Sequence, residues 1–477
     1  MPVKGVLRFN DLCEIGEMVL PVNGSPASDI IEPTVVIDSR EIAEGDIFIA
    51  LKGEKSDGHR YIDTVFEKGA SWAMVSREWY AENSVAPPPG RGFIVVPDPV
   101  VGLQRFAAMY RNTFTLPVVA IGGSNGKTTT KEMVASVLGR GFRVTMSQGN
   151  RNNHLGVPLT LLQLRRESGV AVVEVGINHP GEMSLLAEIA RPTHALLTNI
   201  GHEHLEFLLD LDGVAAAETQ LFDYIRAHGG RAFVNMDDER LKAAGALLPD
   251  TICYGISDFS SGSLCRASSI SVERDGRLAF LLSTTEGVEK IILNFTGKHN
   301  IVNAVAAASV GLYLGLSLRQ IREGLEGLVP APGWKRLEVI HTGGMIILND
   351  TYNANSDSMR LAIDALCDMP CEGRRVAVLA DMLELGVAGD VEHETIGFYL
   401  HQKEVDMLYT LGERSQLIGQ ESPTSYRGHF GNHEALLERL LTDLQDGDAV
   451  LFKGSRGMRL ERVVDALVQE KTINREE

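Results

Sequence analysis

The chain has 477 residues, 44% hydrophobic and 23% charged, with a formal net charge of −18. This length exceeds one ordinary domain and predicts about three, and the balance is that of a globular protein with apolar material for several cores. The charge argues against a nucleic-acid binder, which needs a clustered basic footprint that the sequence lacks. It leaves open phosphate-bearing small molecules, which backbone N–H groups and a few placed cations can hold.

Residues 1–12 carry no apolar core long enough for a signal peptide. In the first segment, to about residue 112, residues 35–37 and 46–51 read as short buried strands. Residues 61–69 read as a helix closed by Gly69, 86–92 as a Pro/Gly loop, and 100–111 as a helix. The second segment opens on the apolar run 116–121, a buried parallel strand that leads into a glycine loop and then a helix over 129–138. Further strands are predicted at 171–175, 195–200 and 232–235 with helical patterns between them, which implies a parallel sheet covered on both faces. Residues 268–295 alternate around a turn at Asp275-Gly276, so an antiparallel hairpin is expected. Residues 301–318 hold no charge. They contain Asn303, Ser309, Gly311, Gly315 and Ser317 and barely reach the roughly 20 residues of a membrane span, so they read as a buried small-residue helix in a soluble protein. A linker at 328–333 precedes a third alternating segment, with strands at 345–348, 376–379, 407–410 and 449–452. Domains are accordingly expected over 1–113, 114–328 and 329–477. The five cysteines, Cys13, Cys253, Cys265, Cys367 and Cys371, are scattered and odd in number. They predict free thiols in a reducing compartment rather than a metal site.

The run Gly122-Gly123-Ser124-Asn125-Gly126-Lys127-Thr128-Thr129 carries the clearest chemistry. A strand, a glycine-rich turn and a helix aim successive N–H groups and a helix N-terminus at one point, which suits a polyphosphate. Lys127, expected on an exposed loop, supplies charge for the β- and γ-phosphates, and the Thr128 hydroxyl is placed for Mg²⁺. Ile121 stands where the strict loop pattern asks for glycine, so the match is to the shorter Gly-x-x-Gly-Lys-Thr form. Glu174 ends an apolar strand at the sheet edge where such folds place ligands; a strand-end glutamate facing solvent is the alternative. Asn199-Ile200-Gly201-His202-Glu203-His204 reaches the same edge, and its imidazole and carboxylate groups can complete a Mg²⁺ shell, although Mg²⁺ prefers oxygen.

Further runs extend this picture: Asp38-Ser39-Arg40 and Asp57-Gly58-His59, then Gly149-Asn150-Arg151-Asn152-Asn153 and Gly297-Lys298-His299-Asn300 with Asn303. The third segment adds Asn349-Asp350-Thr351-Tyr352-Asn353-Ala354-Asn355, Asp381-Met382-Leu383-Glu384-Leu385-Gly386 and Lys453-Gly454-Ser455-Arg456. With these the chain resembles, over nearly its whole length, the Mur ligases, ATP-dependent amide-forming enzymes of bacterial cell-wall precursor synthesis. The Tyr-Asn-Ala-Asn and Asp-Met-Leu-Glu-Leu-Gly runs are similar to the branch that adds D-alanyl-D-alanine to UDP-N-acetylmuramoyl-tripeptide. The resemblance implies an α/β protein of three domains: a UDP-substrate domain, a central P-loop-type parallel-sheet domain with a small hairpin region, and a C-terminal Rossmann-like domain that closes over the nucleotide.

By the same resemblance the enzyme is cytoplasmic and monomeric, uses ATP and Mg²⁺, and passes through an acyl phosphate. Lys127, Glu174, His204 and Arg336 are the implied catalytic set. Gly123 to Thr129, Asn300, Asn303, Arg336 and Asp350 are implied at the nucleotide, and Thr128, Glu174 and His204 at the metal. Ser39 and Arg40 are candidates for the UDP end, Asn152 and Asn153 for the sugar–peptide part, and Asn353, Asn355, Lys453 and Arg456 for the dipeptide. The family usually carries a carbamylated lysine in the helix after the His-x-His run, where this chain has Glu218. That carboxylate either supports the metal through a bridging water or an inward-shifted helix, or faces solvent near a helix N-terminus. Two other readings share some of these features. A folate-type glutamate ligase would share the glycine loop but not the Asp-Ser-Arg run. A nucleotide-switched binding protein would not need nucleotide-edge motifs spread over two domains.

Overall fold

The computed structural model describes residues 4–7, 9–20, 30–54, 56–256 and 263–476. Among these, three α/β units follow one another, each built on its own sheet. The first sheet orders its strands as Glu17–Val19, Gly92–Val96, Trp72–Ser76, Ile47–Ile49 and Val35–Val36. All neighbours are parallel except the antiparallel edge strand Glu17–Val19. The apolar runs at 72–76 and 92–96 escape the sequence reading, yet they fill the middle of this sheet and are almost wholly buried. The expected helix at 61–69 forms as a short 3-10 turn, Gly58–Tyr61, running into helix Ile62–Glu67. His59 is held inside it: Nδ1 lies 2.7 Å from Asp57 Oδ1, and Nε2 accepts the Ser76 N–H at 2.9 Å.

The central sheet positions the site. Strand Val118–Gly122 lies between Val170–Glu174 and His194–Leu197, parallel to both. Val144–Met146 forms the edge beyond Val170–Glu174. On the other side follow Arg231–Asn235, Thr251–Gly255 and Ser263–Val272. From Val118–Gly122 the chain crosses first to one flank and then to the other, so its C-terminal end is a topological switch point, where such sheets bind ligands. Side chains along this strand alternate between two cores. Val118 and Ala120 belong to the core that holds helices Pro99–Asn112 and Glu182–Ala190, whereas Val119 and Ile121 belong to the core that holds helices Lys127–Leu138 and His299–Tyr313. The charge-free run expected to be buried is that last helix. Among the described residues no helix is long and apolar enough to cross a membrane. The expected hairpin is present as Ser263–Val272 with Leu278–Thr284, and a further antiparallel strand, Gly287–Leu293, closes that edge.

The third sheet carries the four expected strands as Met345–Asp350, Ala449–Lys453, Arg375–Ala380 and Met407–Leu411, all parallel. Two edge strands, Glu338–Thr342 and Tyr426–Phe430, were not expected. Both are only half-buried, so they lack the continuous apolar run that marks an interior strand.

Two imidazoles, the buried His194 and the half-buried His299 at the cavity wall, tie stability to acid. Burial pulls both His194, which opens strand His194–Leu197, and His299 down from 6.5 to about 4. Each stays neutral in the folded chain, whereas the unfolded chain protonates near pH 6.5. Their contribution is full above pH 6.5 and is lost as pH falls toward 4, at about 1–3 kcal/mol per residue. Urea titrations across this range should show that loss, and His194→Gln should flatten it; an unchanged acid limb in His194→Gln would refute the assignment.

Candidate active site

The phosphate loop leaves strand Val118–Gly122 and enters helix Lys127–Leu138 through two left-handed glycines, Gly123 (φ +105°) and Gly126 (φ +83°). At Gly123 a Cβ would strike both the side chain and the backbone of Thr198, so only glycine fits. The segment that follows strand His194–Leu197 clasps the loop. Asn125 N–H donates to Asn199 Oδ1 at 3.0 Å, Asn199 Nδ2 donates to Asn125 O at 2.8 Å, and Ser124 N–H donates to Asn199 O at 2.9 Å.

Below the loop lie three buried carboxylates, Glu174, Glu203 and Glu218. Glu218 is fully buried and accepts the Gly123 N–H at 2.8 Å, which rules out the solvent-facing alternative. Burial raises its pKa to about 7, against the opposing pull of Lys127. Glu174 is also buried, not turned to solvent. Its Oε1 accepts Thr128 Oγ1 at 3.2 Å and Asn152 Nδ2 at 2.9 Å. Lys127 is not the exposed loop lysine expected from sequence. It is the first residue of the helix, its side chain is only 14% exposed, and its Nζ reaches Glu203 Oε2 at 3.2 Å and the Ser124 carbonyl at 3.1 Å. Burial presses its pKa down, but Glu203, Glu218 and Glu174 outweigh that and hold it above the usual lysine value.

Four residues on, and so on the same helix face, Lys131 is completely buried. Its Nζ lies 3.6 Å from Glu174 Oε2 and donates to Gly149 O at 2.8 Å. Sequence reasoning missed Lys131, for which the i, i+4 spacing from Lys127 was the available signal, and it read the Glu203 carboxylate as part of a Mg²⁺ shell, whereas here it pairs with Lys127.

The C-terminal unit supplies the opposite wall. Arg336 Nη2 donates to Thr128 Oγ1 at 3.0 Å, and its guanidinium stacks 3.8 Å from the Tyr352 ring centroid. Arg456 covers the same ring at 5.3 Å. Asp350 accepts the Leu337 N–H at 3.1 Å and Lys453 Nζ at 2.6 Å. Lys453 is buried and also donates to Asn353 O at 3.0 Å. Between the walls is a cavity of about 860 Å³.

Most of the sequence-predicted residues meet there: Ser124 to Thr129, Asn152, Asn153, Glu174, His204, Asn300, Arg336, Asp350, Asn353, Asn355, Lys453 and Arg456 all line it. Gly123, Asn303 and Glu218 sit just behind the loop; Asn303 Nδ2 donates to Asn300 Oδ1 at 3.0 Å, and its side chain packs against Gly126. Ser39 and Arg40 lie outside the cavity. Arg40 is exposed and folds back on Asp38, with Nη2 2.6 Å from Oδ2. His204 points Nδ1 at Glu384 Oε2, 2.7 Å away. Among the described residues no group of three or more His, Cys, Asp or Glu side chains is gathered as a metal cage. Even so, Glu203 Oε1 and Glu218 Oε1 are buried without a hydrogen-bond donor, and Glu174 Oε2 has only the Lys131 ammonium 3.6 Å away, so the site carries spare acceptors that suit a hard cation.

Residues 34–111, 121–311 and 335–456 match family profiles described as "Mur ligase family, catalytic domain", "Mur ligase middle domain" and "Mur ligase, glutamate ligase domain". The chain is 33% identical to the UDP-N-acetylmuramoyl-tripeptide--D-alanyl-D-alanine ligase of Bacillus subtilis (strain 168), over 95% of this chain and 97% of that one. It is 35% identical to the enzyme of the same name from Escherichia coli (strain K12), over 93% and 96%. Among solved structures it is similar to MurF from Acinetobacter baumannii, with TM-score 0.84 and 31% identity over 98% of this chain and 100% of that one. It is also similar to the MurF ligase from Thermotoga maritima in complex with ADP, with TM-score 0.81 and 27% identity over 93% and 99%.

The buried Glu218 gives a signed expectation. A carboxyl raised from 4.5 to about 7 favours the folded state below its ordinary value and loses that contribution as pH rises through 7. Glu218→Gln keeps an acceptor for Gly123 N–H without the charge. Its stability should therefore gain on the wild type between pH 5 and pH 8, by about 1–3 kcal/mol. Parallel stability curves for the two proteins would show that the carboxyl does not titrate there.

Proposed function

The chain belongs to the Mur ligase family, and on that footing we propose that it joins D-alanyl-D-alanine to UDP-N-acetylmuramoyl-tripeptide, using ATP. The observation that carries this reading is the facing of two walls across one cavity. The phosphate loop and Glu174 are on one side, and Arg336, Asp350, Asn353 and Arg456 are on the other. Domain boundaries near residues 113 and 328 fall between the three sheets.

The terminal carboxylate oxygen of the tripeptide attacks the γ-phosphorus of ATP, and ADP leaves. The resulting acyl phosphate is attacked at carbon by the dipeptide amine, and inorganic phosphate leaves as the amide forms. Each step builds charge on phosphoryl or carbonyl oxygens, so placed cations and shared orientation supply most of the acceleration. Lys127 stands at the loop with its charge secured by Glu203, and Arg336 reaches over the same point from the opposite wall. Asn300 and Asn303 are assigned to the adenine and Asp350 to the ribose hydroxyls. Lys453, buried beneath Asp350, orients that carboxylate, while Arg456, with its guanidinium on Tyr352, is the better partner for the dipeptide carboxylate. Asn152 and Asn153 adjoin the acceptor peptide, and Ser39 and Arg40 are assigned to the UDP end.

Thr128 and Glu174 fit a magnesium ion by oxygen type and mutual distance, His204 stands at a position that the family pattern gives to the metal, and Glu218 stands where that pattern has a carbamylated lysine. Bound there, the ion would offset negative charge on the phosphates. All these groups come from one chain, so a monomer suffices, and ATP and a UDP-linked substrate place the reaction in the cytoplasm.

The test is phosphate release measured with and without D-alanyl-D-alanine. Release should depend on the dipeptide, because the acyl phosphate is shielded from water until an amine arrives; rapid release without it would count against a ligase. Lys127→Ala should cut turnover by about 10²–10³-fold. It should also lower the melting temperature, since Glu203 would be left buried without its cation, at a cost of about 1–3 kcal/mol. Near-wild-type turnover in Lys127→Ala would overturn the nucleotide assignment.

A further inference from the structure

Asp357 has no part in the chemistry above, yet it lies at the junction of the two walls. It is in the first turn of helix Ser356–Asp368, for which Asn355 is the N-cap. Its Oδ2 accepts the backbone N–H of His202 at 2.7 Å and lies 3.0 Å from His202 Nδ1. A Cβ on the neighbouring Gly201 would come within 2.6 Å of that same oxygen, so the approach is close because position 201 has no side chain. Gly201 is itself bonded to the phosphate loop, its N–H donating to Ser124 Oγ at 2.8 Å. One residue before the helix, Asn355 Nδ2 donates to Asn125 Oδ1 at the loop tip, at 3.0 Å. One turn of one helix therefore grips the phosphate loop twice, directly through Asn355 and through the 201–202 backbone by way of Asp357.

The same helix begins six residues after Asp350, and the segment between them carries Tyr352 and Asn353. Moving the helix moves that wall. Its apolar face, with Met359, Ala362, Ile363 and Leu366, is buried without help from Asp357. The carboxylate is thus spare for folding the helix and specific to the junction.

We infer that Asp357 is a positioning residue for the ligation, holding the C-terminal wall of the cavity in register with the phosphate loop through the backbone of Gly201 and His202. This rests on the ligase reading above. Without that contact the two walls retain their own residues but not their spacing, and a displacement of about 1 Å at a reacting centre can cost on the order of 10²-fold in rate.

The test compares the wild type, Asp357→Ala and Asp357→Asn as full chains, by ligation kinetics, melting temperature and small-angle scattering without ligands. Asp357→Ala should lose about tenfold or more in kcat and scatter as a more open particle, with its melting temperature little changed. Asp357→Asn keeps an oxygen for the His202 N–H and should recover most of the turnover and the closed profile. Wild-type kcat in Asp357→Ala, or an unchanged scattering profile, would overturn the inference. Should Asp357→Ala melt early, Asp357→Asn decides: recovery in both readouts supports the contact, and loss of turnover in a closed particle refutes it. A wild type that fails to ligate overturns the function itself, an outcome separate from these.

Discussion

The clasp between Asn199 and the phosphate loop is the constraint on which the rest of the site depends. A glycine-rich turn has many conformations open to it and loses them all when it is fixed. Here the cost is offset by bonds that satisfy the loop's own backbone: Asn199 accepts from and donates to Asn125, and its carbonyl accepts the Ser124 N–H. Glu218 takes the Gly123 N–H from below. The loop is thus held in shape by protein groups, and the helix that starts at Lys127 begins from a fixed point.

That rigidity comes with a concentration of buried charge. Glu174, Glu203 and Glu218 share the interior with Lys127 and Lys131, three carboxyl groups against two ammonium groups, with burial raising the carboxyl of Glu218 to about 7. Buried pairs of this kind add little to stability, because desolvation consumes most of the attraction. What they fix is geometry. Lys131 sets the direction of Glu174 and binds Gly149, so it ties the helix after the loop to the segment that carries Asn152 and Asn153. The carboxyl oxygens of Glu203 and Glu218 that lack a hydrogen-bond donor mark the place where a cation fits.

The two walls meet through polar contacts of modest strength. Arg336 to Thr128, Asn355 to Asn125, Asp357 to His202 and Glu384 to His204 all cross from the C-terminal unit to the central one. Three of these four end on a loop residue or on the short segment 199–204 bonded to it. Contacts of this size can be remade as substrates enter and products leave, which a reaction with three substrates requires.

Local sequence determined the alternation of strands and helices in the central and C-terminal units, because interior parallel strands are continuous apolar runs whose pattern survives in any context. In the first unit the interior runs Trp72–Ser76 and Gly92–Val96 were passed over although they have that same pattern. Local sequence also identified the loop, whose glycines and Lys-Thr pair are demanded by backbone geometry and phosphate charge, and the resemblance supplied most of the cavity's lining. Edge strands such as Tyr426–Phe430 were lost because half-buried residues leave a weak pattern. Only the tertiary structure decided the state of the charged groups. Glu218 and Gly123 are 95 residues apart, and Asp357 and His202 are 155 apart. The burial of Glu218, the pairing of Lys127, the interior place of Lys131 and the position of Arg40 outside the cavity follow from sheet order and the docking of whole units. Periodicity along the chain reports which face of an element is buried, but not which distant element covers it.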